Sequence, residues 1–193
     1  DDGSLLVHNA MALDAASMRA LDALGQVAAV IVPNGYHRID APAYAARYPE
    51  ASFFAPPGSL ARVKLAVPRA ASSEGLAADA STRYDVLEGV AGQEGVLTVR
   101  SGDEVTLVLN DVVFNMPHVA GAKGFVLRHV TASTGGPRVS RVGKLFLVKD
   151  RRALAAHLER LAGTPGLRRV IVSHHEVMDV DPAASLRAVA ASL

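Results

Sequence analysis

Val27-Ala28-Ala29-Val30-Ile31-Val32 runs straight into Pro33-Asn34-Gly35-Tyr36-His37-Arg38-Ile39-Asp40. The first six residues form the continuous, β-branched apolar run of a buried strand. Proline and Asn-Gly then end the strand in a turn. The junction puts a histidine, an arginine and an aspartate at a strand end, where α/β folds place their sites.

The flanking segments alternate helix and strand patterns. Upstream, Ser4–His8 reads as a short strand after an Asp-Gly turn at Asp2-Gly3. Asp14 is an N-cap for a helix with Met18, Leu21 and Leu24 on its apolar face, and Gly25 stops it. Downstream, Ala43–Arg47 reads as one or two helical turns before Pro49. Ser52–Ala55 is a strand ended by Pro56-Pro57-Gly58. Residues 59–82, rich in Ala, Ser and Gly, read as an irregular excursion or a lid.

From Tyr84 to Phe114 the pattern is β, with strands expected at Asp85–Glu88, Gly95–Val99 and Val105–Leu109. Phe125–Val130 and Lys144–Lys149 fit either helix or strand, and Thr131–Arg138 is a polar connection between them. Asp150 caps a helix carrying Leu154, Leu158 and Leu161, stopped by Gly163 and Pro165. Arg169–Ser173 is a strand. Asp181-Pro182 starts a last helix buried through Leu186, Val189 and Leu193. Strands mixed with helices in both halves favour a single α/β domain over residues 1–193.

Composition excludes several classes. The 193 residues are half hydrophobic and one-fifth charged, an ordinary globular balance. The formal net charge of +1 gives no reason to expect nucleic acid or an anionic membrane surface as partner. Arg151-Arg152 and Arg168-Arg169 read as a solvated helix start and strand start. The absence of cysteine rules out disulfides, thiolate ligands and a cysteine nucleophile, so any zinc needs His, Asp or Glu. No apolar run has the length of a membrane span and no signal-peptide pattern appears, so the expected location is cytoplasmic. The chain begins Asp1-Asp2-Gly3 without methionine, and a leading strand or a cleaved targeting segment is expected upstream. There is no G-x-S-x-G elbow, P-loop or G-x-G-x-x-G after a strand.

Seven histidines offer ligands or bases: His8, His37, His118, His129, His157, His174 and His175. His37 and the His174-His175 pair follow expected strands, and Asp111 follows a third. Imidazole with carboxylate suits zinc, iron or manganese. His157, on a helix, is expected to be solvated, and His175 to point to the face opposite His174. His37 as a backbone-bonded loop residue and Asp111 as a turn cap are the plainer readings.

The order of elements resembles the metallo-β-lactamase-like αββα sandwich from about Ser4 to the end of the chain. The resemblance rests on strand–helix–strand–loop over Leu5–Asp40, on Leu109-Asn110-Asp111-Val112-Val113-Phe114-Asn115, and on the helix–strand–Ser173-His174-His175-Glu176 ending. Pro33-Asn34-Gly35-Tyr36-His37, with Tyr48-Pro49-Glu50-Ala51 and Phe54-Ala55-Pro56-Pro57-Gly58, is similar to an uncharacterised bacterial branch of that superfamily. The resemblance implies two mixed β-sheets flanked by helices, with a short N-terminal strand missing. It also implies an H-x-H-x-D-H metal loop after the buried strand.

Carried over position by position, that loop is lost. Its first histidine falls on Asn34, its second on Tyr36, its aspartate on Arg38 and its last histidine on Ile39. His37 lies between two of these positions and Asp40 lies one beyond. The histidine expected before the aspartate is missing, since none occurs between His37 and His118. The bridging aspartate matches Asp111 and the terminal histidine matches His174. The candidate metal ligands are therefore the matching Asp111 and His174 and the displaced His37, with Asn34, Tyr36, Arg38, Asp40 and His175 lining the cleft.

Two metal ions about 3.5–4 Å apart need more ligands than these. The permanent charge of Arg38 opposes a cation, and its expected partner is Asp111. Two functions stay open. One is a binding or structural protein with a degraded metal site that takes a small molecule in the old cleft. The other is a hydrolase with a rearranged, mononuclear zinc, iron or manganese site acting on an ester, amide or phosphoester. Neither implies nucleic acid or membrane, and homo-oligomerisation is left open.

Overall fold

The computed structural model describes residues 3–193. These fall into two units, one running to Leu76 and one from Ala77 to Leu193. The turn expected at Asp2-Gly3 and the segment expected upstream reach outside the described residues.

The first unit contains β1 (Ser4–His8), α1 (Ala15–Leu24), β2 (Gln26–Ile31), α2 (Ala41–Arg47), β3 (Ser52–Ala55), α3 (Leu60–Lys64) and β4 (Ala71–Ser72). The strands form one sheet in the order β1-β2-β3-β4, parallel throughout. A parallel strand is covered on both faces, which accounts for the unbroken apolar run at its centre. Val30, Ile31 and Val32 are fully buried, in register with Phe53 and Phe54 of β3. Asp14 caps α1 by accepting the N–H groups of Ala16 and Ser17 at 2.9 and 2.8 Å. Met18 and Leu21 pack on the core as expected, but Leu24 is 74% exposed and takes no part in it.

Residues 59–82 depart from expectation. They are not an irregular excursion: α3 buries Val63, and β4 extends the sheet by pairing Phe54 with Ala71 and Ala55 with Ser72. Elements this short carry too few residues to show a periodicity.

The second unit contains β5 (Thr82–Val86), β6 (Gly95–Ser101), β7 (Glu104–Val108), β8 (Phe114–Met116), α4 (Gly121–His129), β9 (Gly136–Arg138), α5 (Arg141–Phe146), α6 (Arg151–Ala162), β10 (Leu167–Ile171) and α7 (Pro182–Ala191). Its main sheet has the order β10-β7-β6-β5, with β10 and β7 parallel and the other pairs antiparallel. β8 and β9 form a separate antiparallel pair. β5 begins three residues before the expected strand, because Asp79 accepts the N–H groups of Ser81 and Thr82 and turns the chain into the sheet early. The first ambiguous segment is helical through His129 in α4, and the second only through Phe146, at the end of α5, which Ser140 caps by accepting from Gly143 at 3.0 Å.

Leu154 and Leu158 of α6 and Leu186 and Val189 of α7 are fully buried against Val96, Leu107, Leu109 and Val170 of the strands. The β5–β6 turn closes on the start of α6. Gly89, at φ +79°, accepts the N–H groups of Lys149 and Asp150 at 2.7 and 3.0 Å. A Cβ there would sit 2.3 Å from the Asp150 carbonyl oxygen, so only glycine fits. Among the described residues no helix is long and apolar enough to cross a membrane.

His8 gives the first unit a pH dependence. Burial, followed by the charge of His37, lowers its pKa from 6.5 to about 4. Between these values the unfolded chain binds a proton that the folded chain does not. This contribution is therefore complete above pH 6.5 and is lost as pH falls towards 4. Denaturant midpoints followed across that window should fall less in His8→Asn than in the wild type, and equal losses would contradict this.

Candidate functional site

In the first unit the loop after β2 is held by its own polar groups. Asn34 is buried, and its Oδ1 accepts the N–H groups of Tyr36 and His37 at 2.8 and 3.1 Å. This is an Asx turn, in which the side chain replaces a backbone acceptor. The His37 Nδ1 donates to Oδ1 of Asn9 at 3.0 Å, which leaves the lone pair of the neutral ring on Nε2. Arg38 donates to the carbonyl of Gly35. Asp40 accepts from the Ala12 N–H at 2.8 Å, joining the loop to the segment after β1. Tyr36 is exposed, with the Arg62 guanidinium 5.2 Å from its ring centre, and Ile39 is 78% exposed.

In the second unit the decisive residue is Glu94, at the base of the β5–β6 turn. Its carboxylate is fully buried. Oε1 accepts the N–H groups of Asn110 and Val112 at 3.0 and 3.1 Å, and Oε2 accepts that of Asp111 at 3.0 Å. Three consecutive backbone donors just beyond the end of β7 are thus satisfied by one side chain from the turn before β6. Burial and then the negative charge of Asp111 push the Glu94 carboxyl up to about 7, against the pull of the three N–H donors.

The clasp presents Asp111 to His174, with Oδ1 and Nε2 2.9 Å apart. The His174 ring stacks on Phe114, with centroids 4.5 Å apart and planes within 3°. The backbone around His174 is tied to β8: Asn115 donates to the His174 carbonyl at 3.3 Å, and Glu176 donates to the Asn115 carbonyl at 3.0 Å. Ser173 donates to Oδ1 of the buried Asn110, linking the ends of β10 and β7. The ring plane, the carboxylate and both backbones are therefore fixed. A carboxylate oxygen and an imidazole nitrogen held this way can relay a proton or ligate a cation.

Of the residues singled out from sequence, the second unit thus brings Asp111 and His174 together. His175 follows at φ +74°, exposed, in an isolated parallel bridge to Asn115 and outside the regular strand β10. The expectation of a solvated His157 is corrected. Its side chain is 12% exposed and its Nδ1 accepts the Glu88 N–H at 3.1 Å, so it serves the helix–strand junction. Burial and Arg160 lower its pKa. His118 bonds Thr134 at 3.1 Å, and the His129 ring lies 4.7 Å from that of Phe125.

Glu94 and Phe114 were not expected as site residues. The one signal in the sequence is a lone acid in Gly92-Gln93-Glu94-Gly95, directly before a buried strand.

No protein-family model matches the chain, and no curated protein does. Solved structures do. TMB-1, described in terms of substrate and inhibitor binding, aligns over 100% of this chain and 82% of its own at a TM-score of 0.56 and 8% identity. The DIM-1 metallo-β-lactamase aligns over 100% of this chain and 84% of its own at 0.54 and 11%. The α/β fold of this chain is the metallo-β-lactamase fold.

The clasp can be tested by Glu94→Gln, which sets an amide NH₂ against backbone donors. The loss should be roughly 1–3 kcal/mol of stability in denaturant unfolding, together with faster amide exchange at Asp111. A variant as stable and as protected as the wild type would refute the role.

Proposed function

We propose that this chain is a degenerate metallo-β-lactamase-fold protein that holds one divalent cation and lacks two-metal hydrolase chemistry. Asp111 and His174, in the second unit, are its ligands, and His37 is the third candidate that the sequence offers. The observation that carries this reading is the 2.9 Å approach of Asp111 Oδ1 to His174 Nε2, fixed by Glu94 on one side and Phe114 on the other.

The donor set fits such an ion. Carboxylate and imidazole donors suit zinc, iron or manganese, and catalytic zinc is typically held by about three protein ligands. A second ion finds no matching donors in the loop after β2. Asn34 spends its oxygen on the turn, Arg38 carries a fixed positive charge and Ile39 is apolar. The plainer reading of His37 as a bonded loop residue is also supported, by its N–H bond to Asn34 and its Nδ1 bond to Asn9.

The same pair favours a second reading, hydrolysis of an ester, amide or phosphoester. A bound ion would supply Lewis acidity and a more acidic water. The part of this chain would be to hold the ligand ring and carboxylate without rearrangement.

Thermal unfolding with added zinc or manganese tests the first reading. At about a hundredfold excess over Kd the melting temperature should rise by roughly 5–10 °C. The rise should vanish in His174→Ala and Asp111→Asn and shrink in His37→Ala. No rise in the wild type, or an unchanged rise in the variants, would overturn it. Metal-dependent turnover of an ester, lactone or phosphoester, lost in Asp111→Asn, would select the hydrolase reading.

A further inference from the structure

The segment from β8 to α6 leaves apolar side chains in water. α4 buries only Gly124 among its residues and α5 only Gly143. Phe125, Leu145 and Phe146 are 63%, 70% and 57% exposed, and Val126, Val130 and Val142 are exposed beside them. Val142, Leu145 and Phe146 recur at helical spacing and share one face of α5. On α4, Phe125 and His129 are one turn apart, with ring centres at 4.7 Å. The two helices are joined at their ends, since Arg141 donates through its side chain to the His129 carbonyl at 2.6 Å and through its N–H to the Thr131 carbonyl at 2.8 Å. An apolar exposure of this kind marks a contact surface.

Charge indicates the partner. Residues 112–149 contain no Asp or Glu and six cations: Lys123, Arg128, Arg138, Arg141, Lys144 and Lys149. Four of these lie on α4 and α5 themselves. Where their partners are defined they are backbone carbonyls, as for Arg138, Arg141 and Lys144, and neutral partners leave the charge uncancelled. Among the described residues none of the six pairs with a carboxylate. The whole-chain charge of +1 conceals this concentration. A second copy docked through the same face would set these cations against one another.

We propose that the α4–α5 surface docks the protein on an anionic lipid membrane. Phe125, Leu145 and Phe146 would enter the headgroup–acyl boundary, and Lys123, Arg128, Arg141 and Lys144 would meet the lipid charges. This site is separate from the Asp111–His174 pair and does not depend on a bound metal.

Co-sedimentation of the full chain with vesicles tests the proposal. One set is phosphatidylcholine alone and the other is phosphatidylcholine mixed with phosphatidylglycerol. The chain should sediment with the anionic vesicles at low salt, and release at high salt. Lys123→Gln with Arg128→Gln should lower partitioning on the order of 10- to 30-fold. Phe125→Ser with Leu145→Ser and Phe146→Ser should abolish it while circular dichroism and melting temperature stay unchanged, as expected for exposed positions. Failure to bind anionic vesicles, equal binding to neutral ones, or wild-type binding by the folded triple variant would each overturn the proposal. Binding to an acidic protein without binding to anionic vesicles would assign the face to a protein partner and would also overturn it.

Discussion

The second unit depends on one buried carboxylate. Glu94 takes three consecutive backbone N–H groups just beyond the end of β7. An unpaired carboxylate in the interior is costly, and so are unpaired backbone donors, so each is tolerable only because of the other. The consequence reaches the site directly. Asp111 cannot drift, because its own N–H is one of the three, and its carboxylate is delivered to His174. The fully buried Val112 and Val113 hold the chain immediately beyond.

The loop after β2 follows the same logic with a different outcome. Asn34 closes the turn through its side-chain oxygen, His37 is anchored to Asn9, and Arg38 returns to the Gly35 carbonyl. A loop rich in metal ligands relies on its ion for rigidity, since metal binding couples to folding. This loop is closed by side chain-to-backbone bonds of its own. In the second unit, by contrast, Asp111 and His174 stand with a carboxylate oxygen and a ring nitrogen 2.9 Å apart.

Much of this was legible in the sequence where a single residue decides a local structure. Asp14, Asp150 and Asp181 each accept the helix N–H bonds expected of a cap, and the apolar runs at Val27 and Ser52 became adjacent parallel strands. Asp111 and His174, 63 residues apart, were singled out by their place after expected strands and by resemblance, not by spacing. Glu94 was missed because its role depends on the β6–β7 pairing, which places a turn residue beneath the end of a strand far along the chain. Residues 59–82 were missed because α3 and β4 are too short to repeat their periods enough times to be recognised. His157 was misjudged because an imidazole on a helix gives no sign that a neighbouring turn will offer it an N–H.

The central proposal is that the chain holds one divalent cation with Asp111 and His174 among its ligands. It is tested most directly by metal content, measured by plasma mass spectrometry on protein purified without chelator or affinity metal and then loaded with zinc and desalted. The account predicts about one ion per chain, falling towards zero in Asp111→Asn and His174→Ala. About two ions per chain, or none retained by the folded wild type, would contradict it.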